Sequence, residues 1–496
     1  MLIDKLIPMG TLLEQIDCRI VGDPGSSEIS SIQYNSSKVT PGALFAALRG
    51  LKSDGHKYIK DAVKKGATAI LCEEENTLPE NVLQIIVKDS KAGLAEISSA
   101  FYNTGSPDFK LCAVTGTNGK TSITWLLEAI SKQISKLHPA VMGTLGLKGT
   151  GLNNDSNLTT PMSPEIHEFF HKAAENNIDI IFMEASSIAL EQKRLHGITF
   201  NVIIFTNLSR DHLDYHHDME TYYQAKKVIF NQLKSDGTAL INIDDDYGKR
   251  LASELQKSQI RTFSLKNTEA DYYYSELDIN SNGITADVNG LSNELTVEAG
   301  IIGNFNASNL LAAVSAFSIL YPEIISDKLD LTHFHGALGR LEIYKSQDHG
   351  NFIIDFAHTP DAMENIYKSL PRPKETTKIH SIFGAGGDRD KGKRALMGQM
   401  ADIYSDDIIL TDDNPRTEES LQIIKDIERG IKEKNYKIIS DRRQAMKTAI
   451  ECARTDDISI IFGKGGENYQ EIGNKKISWS DSECLLELLE TIENEA

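Results

Sequence analysis

The sequence predicts an α/β protein of about three domains. A strand, glycine turn and helix stand at its centre, and strand–loop–helix units precede and follow it. The 496 residues are enough for about three separate cores.

Residues 1–89 read as a small α/β unit. Ile29–Tyr34 alternates like a strand, and Ala43–Leu48 reads as a second. Asp54–Gly66 is a helix with a glycine stop, followed by strand Ala69–Cys72. The loop Asn35–Gly42 is turn chemistry and, alone, reads as a surface connection. Asp89 or Ser90 then caps a helix running to about Tyr102.

Residues 90–336 form the predicted centre. Lys110–Val114 is a short buried strand, and Ile123, Trp125, Leu126, Leu127, Ala129 and Ile130 give the next helix an apolar face. Between them lies Gly116-Thr117-Asn118-Gly119-Lys120-Thr121-Ser122. Val114 occupies the first glycine position of the strict P-loop pattern, so this is a shortened variant. Backbone N–H groups and the helix dipole converge there on an anion. Lys120 suits phosphate oxygens, and the Thr121 hydroxyl suits Mg²⁺. Strand Asp179–Met183 ends at Glu184, placed as a magnesium-organising carboxylate or as an ordinary strand-end acid. Strand Phe200–Thr206 opens into the polar run Asn207–His216, with His212 a possible metal ligand. A helix from Met219 to Leu233 carries Lys226 and Lys227, which read blindly as a solvated face. Ile301–Asn309 leads into an apolar helix, Leu310–Leu320.

From residue 337 to 496 the strand–loop–helix pattern restarts. Strands Phe352–Asp355, Ile379–Phe383, Asp407–Thr411 and Ile458–Phe462 each end in a loop rich in polar groups or glycine. In a doubly wound parallel sheet those ends share one rim, where ligands bind.

Composition narrows the partners. The content is 40% hydrophobic and 25% charged, as in ordinary soluble domains. Net charge is −19, which argues against nucleic acid, since that binding rests on phosphate neutralisation. Met1–Met9 carries Asp4 and Pro8 where a signal peptide needs an unbroken apolar core. No apolar run approaches the ~20 residues of a membrane span. Five dispersed cysteines suggest neither a disulfide framework nor a zinc site. A cytoplasmic monomer working on small molecules, without membrane insertion, is expected.

Gly116–Thr121, Met183–Ser187, Thr206–His216, Asp355–Asp361, Gly386–Arg394 and Asp413–Arg416 resemble, in order along nearly the whole chain, the motifs of the Mur ligases. The resemblance implies a UDP-binding domain, a central ATPase and a C-terminal Rossmann-like amino-acid domain. It implies ATP- and Mg²⁺-dependent amide formation in peptidoglycan synthesis, with meso-diaminopimelate added to UDP-MurNAc-L-Ala-D-Glu through an acyl phosphate. Lys120, Glu184, His212 and Lys226 would be catalytic, and Thr121, Glu184, His212 and Lys226 would serve the metal. Lys226 would be carbamylated by CO₂, against its blind reading. Gly116 to Ser122, Asn306, Asn309, Arg340, Asp355 and His358 would face ATP. Tyr34, Ser36, Leu51, Lys52 and Ser53 would hold the uridine end. Thr159, Thr160, Ser186, Gln192 and Arg194 would hold the muramoyl-dipeptide. Arg389, Asp413, Asn414, Pro415, Arg416, Gly463 and Glu467 would read the amino acid.

The chain departs from that pattern at Ser37, Leu158, Ile188 and Gly466, where the family usually has Arg, Asn, His and His. The alternatives are the same reaction with lysine or ornithine, a folylpolyglutamate-type ligase, and a nucleotide-binding regulator without activity.

Overall fold

The computed structural model describes residues 6–14, 16–26, 28–50, 53–134, 137–154, 156, 158–280, 283–323, 327–346, 348–370 and 376–495. Leu51 and Lys52 lie outside the described residues. The fold is α/β with mostly parallel sheets, and the chain divides into two compact units. One comprises residues 1–112, 137–201 and 228–235; the other comprises 113–136, 202–227 and 236–496.

The first unit contains a five-stranded sheet in the order Arg19–Val21, Leu83–Ile86, Ala69–Cys72, Ala43–Ala46, Ser31–Gln33. Only the Arg19–Val21 edge is antiparallel. The side-chain alternation of the strands separates two cores. Leu44, Ala46 and Leu71 face Leu94, Ile97 and Phe101 of helix Ser90–Tyr102. Phe45, Ile70 and Cys72 face Ile59 and Ala62 of helix Ile59–Lys64. The Asp89 carboxylate accepts from the N–H groups of Lys91 and Ala92, a cap contributing about 1 kcal/mol. Elsewhere in this unit, strand Ile180–Glu184 runs parallel to Pro139–Gly143. The predicted helix over 54–66 begins as a 3₁₀ turn, Gly55–Tyr58, because the Asp54 side chain ties down the His56 N–H.

In the second unit, helix Lys120–Ile134 packs against Asn304–Leu320. A six-stranded sheet has the order Glu342–Ser346, Gly350–Asp355, Ile458–Phe462, Ile379–Phe383, Asp407–Leu410, Tyr436–Ile438. The first pair is antiparallel and the rest are parallel. The four expected C-terminal strands are thus neighbours, and their carboxyl ends lie on one rim. A separate four-stranded sheet, Tyr273–Asn280, Gly283–Asn289, Leu295–Ala299 and Lys328–Leu331, had no counterpart in the sequence reading. The expected helix from Met219 to Leu233 is α-helical only to Lys227, then tightens to 3₁₀ over Val228–Gln232. Apolar spacing does not separate those two helices over a single turn.

Among the described residues no helix is long and apolar enough to cross a membrane. All five cysteines are free, and Cys452 is the exposed one.

Candidate active site

The strand Lys110–Thr115 delivers the chain into the glycine turn, and the helix begins at Lys120. Gly116 and Gly119 have φ of +148° and +90°. A Cβ on Gly116 would lie 1.9 Å from Thr206 Oγ1, and one on Gly119 would lie 2.6 Å from Asn309 Oδ1. The turn is further fixed by Thr117 N–H donating to Asn207 O (2.9 Å) and Asn118 N–H donating to Asn207 Oδ1 (2.9 Å). The Lys120 ammonium donates to the carbonyls of Gly116 (2.9 Å) and Thr117 (2.8 Å). Thr121 and Ser122 form the first helical turn, and Arg340 Nη2 donates to Thr121 Oγ1 at 3.2 Å.

Lys226 is 1% exposed, so the blind reading of a solvated pair fails for it. Its amine donates to Gly116 O (2.8 Å) and lies 4.7 Å from the centre of the Tyr222 ring. Burial, reinforced by the Lys120 ammonium, drives its pKa well below the usual lysine range. Lys227, in contrast, points to Glu254 at 2.8 Å.

Asp211, buried beside His212, accepts from the His212 N–H (2.9 Å) and from Lys393 Nζ (3.2 Å). His358 Nε2 stands 3.6 Å from its other oxygen. Burial opposes its ionisation, but His212, Lys393 and His358 outweigh that and hold its carboxyl well below the usual range. Burial lowers His212 to about 3, leaving the imidazole neutral at pH 7. Asp361 accepts from Asn118 Nδ2 (3.0 Å) and Ser209 Oγ (3.2 Å), and Asp390 pairs with Arg210 (3.3 Å). Asp211, Lys393, Asp361 and Asp390 were all inside quoted motifs, yet none was assigned a role from sequence.

Two expected nucleotide residues have local structural partners. Asp355, buried, accepts from the N–H groups of Leu341 (2.7 Å) and Ala357 (2.6 Å). Asn306 Nδ2 donates to Ile302 O (3.0 Å).

In the first unit, Glu184 closes its strand and is 1% exposed. Thr144 donates to it through N–H (2.8 Å) and Oγ1 (3.2 Å), and Thr144 Oγ1 also reaches Thr159 Oγ1 (3.1 Å). Thr160 Oγ1 donates to Glu184 O (2.7 Å), and Ser186 N–H donates to Thr160 Oγ1 (3.0 Å). Arg194 donates to Thr160 O (2.6 Å) and holds Gln192 Oε1 (2.7 Å). The five residues expected at the muramoyl-dipeptide therefore form one cluster. The uridine group is more dispersed: Tyr34 OH donates to Glu165 (2.6 Å), Ser36 O accepts from Lys65 (2.8 Å), and Ser53 faces Tyr58 (3.4 Å). Burial and the Glu165 hydrogen bond raise the Tyr34 phenol. Ser37 Oγ is held by Asn35 Oδ1 at 2.8 Å, and Leu158 is exposed.

The rim of the six-stranded sheet gathers the residues expected to read an amino acid. Arg416 Nε donates to Glu471 Oε2 (3.0 Å) and its Nη1 to Gly387 O (2.8 Å). Asn414 donates to Glu467 (3.0 Å) and accepts from buried Lys464 (3.0 Å), which also contacts Glu467 (3.1 Å). Asp413 is buried, its carboxylate accepts from no described residue, and a Cβ on Gly463 would lie 2.3 Å from it. Pro415 O packs where a Cβ on Gly387 would sit, 1.9 Å away, and Arg389 is exposed. Arg442 and Asp481, both fully buried, pair at 2.6 and 2.8 Å. The same guanidinium donates to the carbonyls of Asp412 (3.3 Å) and Phe462 (2.9 Å), which precede the Asp413 and Gly463 loops. Sequence reasoning missed Arg442, Asp481 and Glu471. The last sits on hairpin Tyr469–Ile472/Lys475–Ser478, which Gly473-Asn474 could have signalled.

The Mur ligase family catalytic domain matches residues 28–102, the Mur ligase middle domain 114–317, and the glutamate ligase domain 339–465. The UDP-N-acetylmuramoyl-L-alanyl-D-glutamate–2,6-diaminopimelate ligase of Clostridioides difficile is 39% identical over 97% of this chain and 99% of its own. That of Syntrophomonas wolfei is 37% identical over 96% and 98%. A solved structure of a ligase of that name superposes with a TM-score of 0.64 at 33% identity, covering 99% of this chain and all of its own. The chain belongs to the Mur ligase family.

Proposed function

We propose that this chain is an ATP-dependent ligase that joins meso-diaminopimelate to UDP-N-acetylmuramoyl-L-alanyl-D-glutamate. The observation that carries the reading is 39% identity, end to end, with a ligase named for that reaction. Three successive Mur ligase domain matches, at 28–102, 114–317 and 339–465, are in keeping with three domains, which we place at 1–89 for UDP binding, 90–336 for the ATPase and 337–496 for the amino acid.

In the proposed sequence, an oxygen of the D-glutamyl carboxylate attacks the γ-phosphorus of ATP, giving an acyl phosphate and ADP. The incoming amine then attacks the acyl carbon, loses a proton, and phosphate departs with the C–O electron pair. No enzyme nucleophile takes part. The chain contributes position and charge. Lys120 would leave the loop carbonyls for phosphate oxygens, while the N–H groups of the glycine turn cradle them. Asn309, Arg340 and His358 would line the nucleotide side.

Thr121, Glu184, His212 and Lys226 would each serve Mg²⁺. Hydroxyl and carboxylate oxygens suit that hard cation, and His212 is neutral. An ammonium at Lys226 does not suit it. The depressed pKa favours the neutral amine, the form that reacts with CO₂ to give a carbamate and so supplies oxygen donors. When bound, the metal neutralises charge on the transferring phosphoryl group. At the rim, Arg416 would receive the distal carboxylate of diaminopimelate and Asp413 an ammonium group. We place this enzyme in the cytoplasm as a monomer.

Phosphate release with ATP, Mg²⁺ and UDP-MurNAc-L-Ala-D-Glu, compared for meso-diaminopimelate, L-lysine and L-ornithine, tests the proposal. Release together with amide product, seen by mass only with diaminopimelate, is expected. Preference for lysine or ornithine would overturn the substrate, and no turnover with any of the three would overturn the activity.

A further inference from the structure

The Arg416 guanidinium is not presented alone. Its Nε is taken by the Glu471 carboxylate at 3.0 Å and one Nη1 hydrogen by Gly387 O at 2.8 Å. Nη2 donates to no described residue. A guanidinium carries five N–H groups, so both Nη2 hydrogens and one on Nη1 remain. One Nη2 hydrogen lies beside Nε–H on the side that Glu471 takes; the other, with an Nη1 hydrogen, forms the end edge that can pair bidentately with a carboxylate.

Glu471 is itself fixed at three points. Its N–H donates to Asn414 Oδ1 (2.8 Å), its carbonyl accepts from the Arg416 N–H (3.0 Å), and its carboxylate takes Nε. The Gly473 N–H closes the other side on Arg416 O at 2.7 Å. Arg416 also has a φ of +51°, which a non-glycine residue keeps only where its surroundings hold it. Hairpin and loop therefore act as one clamp around this arginine. An anion on the end edge need not displace Glu471, since the two carboxylates would use different hydrogens.

We propose that Glu471 is a positioning residue for amino-acid selection: by holding Nε it aims the free end of Arg416 at the distal carboxylate of the incoming amino acid. The inference rests on the diaminopimelate reading above. A flexible arginine would lose affinity by having to order itself on each binding event. The opposite role, in which Glu471 competes with the substrate for Arg416, predicts the opposite sign.

The test is steady-state kinetics of E471A and E471Q beside the wild type, varying meso-diaminopimelate and ATP separately, with L-lysine as a second acceptor. E471A should raise KM for diaminopimelate by about tenfold, leave KM for ATP and kcat within about twofold, and lower the preference for diaminopimelate over lysine. E471Q keeps an oxygen that can accept from Nε and should show a smaller rise. A KM for diaminopimelate that is unchanged or lower in E471A overturns the positioning role. Equal losses for both substrates overturn it as well. Wild-type enzyme that uses only lysine overturns the substrate reading and this inference with it, and that outcome is visible before any variant is assayed.

Discussion

Changing Asp481 to Asn removes one charge and almost no volume from a site with no solvent. Arg442 and Asp481 both have side chains at 0% exposure and are joined by two hydrogen bonds. With Asn at 481, the Arg442 charge remains buried and loses its directly bonded carboxylate, keeping only the weaker pull of Asp413, and breaking such a pair costs roughly 3–5 kcal/mol. Its bonds to the carbonyls of Asp412 and Phe462 offset only part of this, because neutral carbonyls do not cancel a full charge. The protein has two tryptophans, Trp125 and Trp479, and Trp479 Nε1 donates to Asp481 Oδ1 at 2.7 Å. In a Trp125→Phe background, Trp479 fluorescence during urea unfolding therefore reports on this region. Asp481→Asn should lower the local unfolding free energy by about 3 kcal/mol or more. Replacing both partners by apolar residues, Arg442→Met with Asp481→Leu, should cost less than Asp481→Asn alone. A loss below about 1 kcal/mol in Asp481→Asn would refute the reasoning, since it would mean that the Arg442 charge is neutralised some other way.

Lys226→Ala should lower turnover by at least about 10²-fold while the far-UV circular dichroism spectrum is kept; full activity would remove Lys226 from the mechanism. Gly116→Ala should destabilise by more than about 1 kcal/mol and weaken ADP binding in calorimetry, because φ is positive there and the new Cβ meets Thr206; unchanged ADP affinity would show that the turn can relax. The hydrogen bond from Arg394 lowers Glu418 from 4.5 to about 2. A depressed carboxylate stabilises fully above its unfolded pKa and loses that contribution as pH falls through the folded value. Urea midpoints of wild type and Glu418→Gln should thus differ most near neutrality and converge from about pH 4.5 downward; a constant gap would contradict the assignment.

Much of the fold was legible where burial imposes a repeating pattern. Helix Ser90–Tyr102 matched because Asp89 marks its start and its apolar face its length. Strand Ala69–Cys72 and the four C-terminal strands matched as short apolar runs buried on both faces. The sheet from Tyr273 to Leu331 was illegible for the opposite reason. Strand Tyr273–Asn280 is largely solvent-facing and shows no apolar alternation. For the site, linear motifs marked the loops but not the pairings across them. Nothing local shows that Lys226 folds inward while Lys227 meets Glu254, because that depends on where Gly116 lies in space. Glu471 was invisible because its partner is 55 residues away.

The helix Arg442–Cys452 links a buried end to an open one. At its start stands the guanidinium that gathers the Asp412 and Phe462 carbonyls; at its end, about 15 Å along the axis, stands the only exposed thiol of the five. Cys18 is partly covered, and Cys72, Cys112 and Cys484 are buried. A maleimide fluorophore added at substoichiometric ratio would therefore mark Cys452 first, without mutagenesis. Such a label would sit off the rim yet on the rod that anchors it, giving an optical readout of that rod while amino acids are titrated in.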